Sequence, residues 1–95
     1  MKDIVGGYIV IASAGSWREG GHETWHGIWS LLEPQVSDDP RLVDRGADTQ
    51  RYDERQPAVD AGRALGLAAA SLRAAADRAS ADAFTMVEVS SLAAT

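Results

Sequence analysis

The sequence predicts an α+β fold of two layers: a three- or four-stranded, mainly antiparallel sheet packed by one long helix. Three observations predict it. The first half of the chain holds short runs rich in Val, Ile, Tyr and Trp, separated by Gly, Pro and Asp, and such runs suit strands. The second half holds one long alanine-rich stretch whose apolar residues recur at alternating steps of three and four, which suits a helix. The chain has 95 residues, room for a single domain, 1–95, with one modest core. Hydrophobic residues make up 45% of the chain, but seventeen of them are Ala. The larger apolar side chains suffice for one sheet face against one helix. So small a core leaves self-association as a natural source of further burial.

The first strand is expected over residues 4–12. Tyr8, Val10 and Ala12 fall on one side of it, Ile9 and Ile11 on the other. Apolar character on both sides suits a central strand. Residues 14–21, with Gly15, Ser16, Gly20 and Gly21, read as a loop. Residues 24–33 fit two templates. A strand would align Trp25, Gly27, Trp29 and Leu31, and a helix would align Trp25, Ile28, Trp29 and Leu32. Two Trp, a Thr and an Ile favour the strand, and Gly27 costs a helix about 1 kcal/mol. Residues 34–40 read as a second loop. A third strand is expected over 42–52, at an exposed edge, with Gly46 as a bulge or bend.

The helix is expected over about residues 57–80. Pro57 suits a first turn, with Asp53 and Gln56 as a capping pair ahead of it. Its stripe is Ala58, Ala61, Leu65, Ala68, Leu72, Ala75 and Ala79. Arg73 and Asp77 are spaced for an i, i+4 pair. The small residues at 58, 61, 62, 66, 68 and 69 would let the helix sit close to the sheet. A last strand is expected over 84–89, giving the order β-β-β-α-β.

Charge and composition narrow the function. Net charge is −5, and most of it lies in the first forty residues, where Lys2 and Arg18 face six acids. A phosphate backbone rewards dense Lys and Arg, so nucleic acid is not an expected partner. There is no cysteine, which removes disulfides and thiolate metal cages and suits a cytoplasmic protein. Lys2, the following apolar run and Ala12-Ser13-Ala14 resemble parts of a secretory leader. Asp3 and the interruption at Gly6, Gly7 and Tyr8 favour a buried strand instead. No run reaches the ~18 apolar residues of a membrane span, so no membrane contact is expected.

His22, Glu23 and His26 spell His-Glu-x-x-His, the short signature of zinc peptidases. That chemistry needs a helix, which brings both imidazoles to one ion and leaves the Glu to act on metal-bound water. On a strand the two histidines share a face but lie about 13 Å apart at ~3.3 Å per residue. These are the only histidines in the chain, and none of Glu33, Asp38, Asp39 and Asp44 stands at a recognised spacing for a third ligand. The expectation is no cofactor and no catalytic residue. The alternative is a zinc hydrolase with His22 and His26 as ligands and Glu23 as base. Trp17, Trp25 and Trp29 are the other feature. They read either as core against Leu65 and Leu72 or as a recognition surface, since Trp is frequent at binding hot spots.

The segments "GGYIVIA", "WHGIWSLLE" and "RYDERQPAVDAGRALGLA" resemble, over residues 6–70, a group of small bacterial proteins of uncharacterised role. In these an antiparallel β-meander is followed by one covering helix. An aromatic after the third strand and closely spaced Ala and Gly at the helix start correspond to Tyr52, Ala58 and Gly62. The expected C-terminal strand and the long alanine tail depart from that pattern. The resemblance carries no catalytic residue over. The expected function is a non-enzymatic interaction or accessory domain, pairing with a protein or with itself as a homodimer through the sheet face or edge. Trp25 and Trp29 would be its binding residues, with His22 and His26 as polar contacts.

Overall fold

A computed structural model describes the backbone of residues 2–93 and the side chains of residues 2–81. Its elements are β1 (Lys2–Val5), β2 (Tyr8–Glu19), β3 (His22–Glu33), β4 (Arg41–Ala47) and α1 (Arg55–Ala93). The strands form one antiparallel sheet in sequence order, β1-β2-β3-β4. The helix follows and packs on one face of it, chiefly over β2 and β3.

Glycine pairs place the turns. Gly6 and Gly7, with φ of 57° and 87°, split the strand expected over 4–12 into two. Gly20 and Gly21, with φ of 58° and 79°, do the same between β2 and β3. Two consecutive positive φ values give the hairpin turn whose twist matches that of paired strands. The loop expected over 14–21 is therefore confined to two residues. Ala14 to Glu19 stay in the ladder and pair with His22 to Gly27.

The third strand is shorter than expected. It stops at Ala47, and Tyr52 returns alone to bridge Trp25, with N–O distances of 2.7 Å in both directions. Gly46 is not the bulge. The irregularity lies where Leu31 faces Asp44 and Leu32 faces Leu42, which leaves Val43 as the extra residue. Gly46 instead makes room for the Trp29 indole: a Cβ there would come within 2.5 Å of the ring.

The helix departs from expectation at both ends. It begins at Arg55 and passes through residues 84–89, where a last strand was expected. No Gly or Pro follows Gly66, so nothing in the sequence interrupts propagation. Pro57 lies within the first turn, where its missing N–H leaves no bond unmade. Asp53 and Gln56 do not cap reciprocally. Asp53 contacts His22, and the Gln56 amide donates to Asp60 at 3.0 Å.

The expected helical stripe is not the one that faces the sheet. Ala58, Gly62, Gly66, Ala70 and Ala74, spaced by four, are buried against it, whereas Leu65 is 41% and Leu72 74% exposed. The contact is backbone on backbone. A Cβ at Gly27 would lie 2.5 Å from the Ala58 carbonyl oxygen, and one at Gly62 would lie 2.8 Å from that of Ile28. Gly66 sits over Val10 and Trp29, and Ala74 sits against Gly6. Each helical glycine costs about 1 kcal/mol of propensity relative to Ala. The close approach it permits offsets that cost through dispersion contacts along the seat. The core cluster is Tyr8, Val10, Leu31, Ala70 and Ala74, with Val5, Trp29, Val43, Leu67 and Ala69 packed around it.

Two polar contacts fasten the margins of the seat. Arg63 donates to both carboxylate oxygens of Asp3, at 2.9 and 3.1 Å. That hydrogen bond holds the Asp3 carboxyl below its usual range, against the opposing effect of desolvation. Arg73 and Asp77 converge on Tyr8 rather than on each other. Tyr8 donates its hydroxyl proton to Asp77, and the Arg73 guanidinium lies 5.7 Å from its ring centroid. The bond to Asp77, followed by desolvation, raises the Tyr8 phenol above its ordinary value.

Candidate functional site

Strand alternation sorts the sheet residues into two faces. Tyr8, Val10, Ala12, Leu31, Trp29 and Gly27 face the helix. The opposite face carries no further layer among the described residues. Its composition follows from the register, row by row. Ile4, Ile9, Leu32 and Leu42 lie side by side across all four strands. The next row is Lys2, Ile11, Ser30 and Arg45, and then come Ser13, Ile28 and Ala47. Towards the far turn follow Gly15 with His26, Trp17 with Thr24, and Glu19 with His22. The open face is thus aliphatic at the end near Gly6 and Gly7, and polar and aromatic at the end near Gly20 and Gly21. Ile4 is 74% exposed.

The polar end is organised by the segment that bridges Trp25. Arg51 donates to Thr24 Oγ1 at 3.4 Å, and its guanidinium stands 5.8 Å from the Trp17 ring centroid. Asp53 Oδ1 lies 3.2 Å from His22 Nε2. Trp17, Glu19, His22, Thr24 and Arg51 line a shallow cleft of about 320 Å³. Tyr52 points to the other face and donates to Asp48 at 3.0 Å. Desolvation first, and that bond second, raise its phenol above the ordinary value.

The peptidase arrangement of His22, Glu23 and His26 is not formed. All three lie in β3, an extended strand. His22 and His26 are on the open face about 13 Å apart along the chain, and Glu23 is on the helix side, paired with Arg18 at 3.7 Å. His22 is engaged with Asp53. The His26 ring leans over Gly15, where a Cβ would come within 2.8 Å of its Cε1. Among the described residues no group of three or more His, Asp or Glu side chains is placed to hold a metal ion. Asp38 and Asp39 lie in the exposed connection between β3 and β4.

The tryptophans divide between the two faces of the sheet. Trp25 and Trp29 are half-buried on the helix side. Trp29 packs against Gly66 and Gly46. Trp17 is the tryptophan on the open face, 55% exposed. The sequence signal for it was the pair Gly20-Gly21: a two-residue turn there extends the ladder back through Trp17 and fixes its side of the sheet.

The edge of the sheet is uneven. Among the described residues β1 pairs with residues 8–11 of β2, and no described strand lies beside Ala14 to Arg18 on that side. The turn-closing pairs Val5–Tyr8 and Glu19–His22 fix the sense of the backbone. Odd residues of β2 bond to β3, and even residues point to the β1 side. The N–H and C=O groups of Ala14, Ser16 and Arg18 are therefore directed outward along a bare edge.

Among the described residues, no helix is long and apolar enough to cross a membrane. Comparison with protein-family models, with curated proteins and with solved structures finds no match to this chain.

Proposed function

We propose that this chain is a small non-enzymatic interaction domain that associates with protein, and first of all with itself, through its sheet. The observation that carries this reading is the row Ile4, Ile9, Leu32 and Leu42, an aliphatic band spanning all four strands with no layer over it. Contiguous exposed apolar surface of this kind marks association sites, and burying it would supplement a core built largely from alanine and glycine. The lack of cysteine supports a cytoplasmic setting, and the meander-and-helix resemblance supports a bacterial one. The test is sedimentation equilibrium of the intact chain and of an Ile4→Glu/Leu42→Glu variant. Both positions are exposed, so the variant keeps its circular dichroism. Mass above that of one chain, lost or reduced in the variant, is the expected result. A single-chain mass for the intact protein at every concentration overturns self-association.

A further inference from the structure

The bare edge of β2 identifies a partner and a register. We infer that two copies of this chain pair antiparallel along residues 14–18 of β2, joining their sheets into one of eight strands about a two-fold axis at Trp17. This inference rests on the self-association proposed above and adds to the contact at the sheet face a second one at the sheet edge.

An exposed edge with unpaired N–H and C=O groups is a template for another strand. A two-fold pairing sets each strand against itself, so only the central residue has to be chosen. Centres at Ala14 or Gly15 would overlap the two copies at β1, which leaves Ser16, Trp17 and Arg18. Centring on Ser16 would run the start of β1 in one copy end to end into the Gly20-Gly21 turn of the other, because Lys2 stands level with Ile11. Centring on Arg18 would set two guanidinium groups directly opposite each other, which is destabilising. Centring on Trp17 avoids both. Ser16 of each copy then exchanges hydrogen bonds with Arg18 of the other. Trp17 faces its own counterpart at the closer, non-hydrogen-bonded spacing, where aromatic pairs contribute most.

Side-chain chemistry agrees with this register. Trp17 is more than half exposed as a single chain, and pairing would cover it. On the same face, Glu19 of each copy lands opposite Gly15 of the other. Gly15 has no side chain, and its place is filled by the His26 ring, whose Cε1 and Nε2 lie 2.8 and 2.9 Å from where a Cβ would be. A carboxylate therefore meets an imidazole twice, once on each side of the tryptophan pair. The helix lies on the opposite face and does not obstruct the edge. The aliphatic bands of the two copies end up on one continuous face.

Cysteine crosslinking tests the register, because the chain has no cysteine of its own. In Trp17→Cys the two new thiols would stand with Cα atoms about 4.5 Å apart, within disulfide range. In the control Ser13→Cys, on the same strand and face, they would stand about 26 Å apart at ~3.3 Å per residue. Under mild oxidation the 17 variant should form covalent dimer at least about tenfold faster than the 13 variant. Because Trp17→Cys also removes the ring, Ser16→Pro is the second variant: it deletes an outward N–H, leaves the β2–β3 ladder intact, and should reduce the sedimentation mass. If the intact chain self-associates but Ser16→Pro leaves its mass unchanged and positions 17 and 13 crosslink alike, the edge pairing is overturned while the wider reading stands. If the intact chain is single at every concentration, both fall.

Discussion

The two faces of α1 are built on opposite plans. The face against the sheet carries its smallest residues, Ala58, Gly62, Gly66, Ala70 and Ala74, and the outward face carries Leu65 and Leu72. Burial on this helix follows distance of approach, not side-chain size. The seat brings helix and strand backbones so close that a methyl group is too large at Gly27 or Gly62. The outward leucines have room, Leu65 being 41% and Leu72 74% exposed. A hydrophobic stripe read from periodicity alone picks the leucines, because they weigh more.

The comparison can be broken most severely at Gly62. Gly62→Val would push a branched side chain into the Ile28 backbone, 2.8 Å from its carbonyl oxygen. Backbone cannot step aside as a side chain can, so the loss of unfolding free energy should exceed about 3 kcal/mol, beyond the common range for overpacking. A urea titration followed by circular dichroism checks this. Leu31→Ala acts from the other side of the seat, on a fully buried core residue, and should cost about 3 kcal/mol through lost transfer energy and a residual cavity.

Asp3→Asn sharpens the comparison at the margin of the seat. The hydrogen bond from Arg63 lowers the Asp3 pKa in the folded state, so the ionised carboxylate favours folding. That contribution is fully present above about pH 4, the unfolded value, and is lost as pH falls through the lower folded value. Denaturation midpoints of the native chain and the variant should differ by a constant amount from neutral pH down to about pH 4 and converge below it. A difference that persists in strong acid would mean that the pair does not act through charge. The smallest effect belongs to the outward face. Leu72→Gln, at a position 74% exposed, should change stability by no more than about 0.5 kcal/mol, and a loss of several kcal/mol would show that face to be packed.

Much of the fold was legible in the chain. The α+β class, the extended state of residues 24–33 and the single long helix all followed from alternation, aromatic content and alanine content. Three features did not. The glycine-rich segment before residue 24 suggests a hairpin between two strands, but a glycine pair alone does not say how close to it the pairing resumes, so the two-residue turns at Gly6-Gly7 and Gly20-Gly21 are not legible. The 84–89 alternation is compatible with a strand, but no Gly or Pro after Gly66 stops the helix before it. Trp25 and Trp29 stood out by residue type, while their side of the sheet depended on which face the helix chose. That choice is a tertiary event, set by the fit of Gly62 and Gly66 against Gly27, Ile28 and Trp29. The separation of His22 and His26 was legible, since strand geometry alone fixes it. The bare edge beside Ser16 was not, because it depends on how short β1 turns out to be.

The helix has a consequence for how this molecule moves through water. Its 39 residues span about 58 Å at 1.5 Å per residue, well beyond the sheet that seats it. The overall dimensions are 72 × 29 × 17 Å, with a radius of gyration of 18.6 Å, against about 12 Å for a compact chain of this length. So elongated a particle tumbles slowly and elutes from a sizing column as though it were heavier than it is. A single copy could pass for a pair on such a column, and only a measurement sensitive to mass rather than to shape tells the two apart.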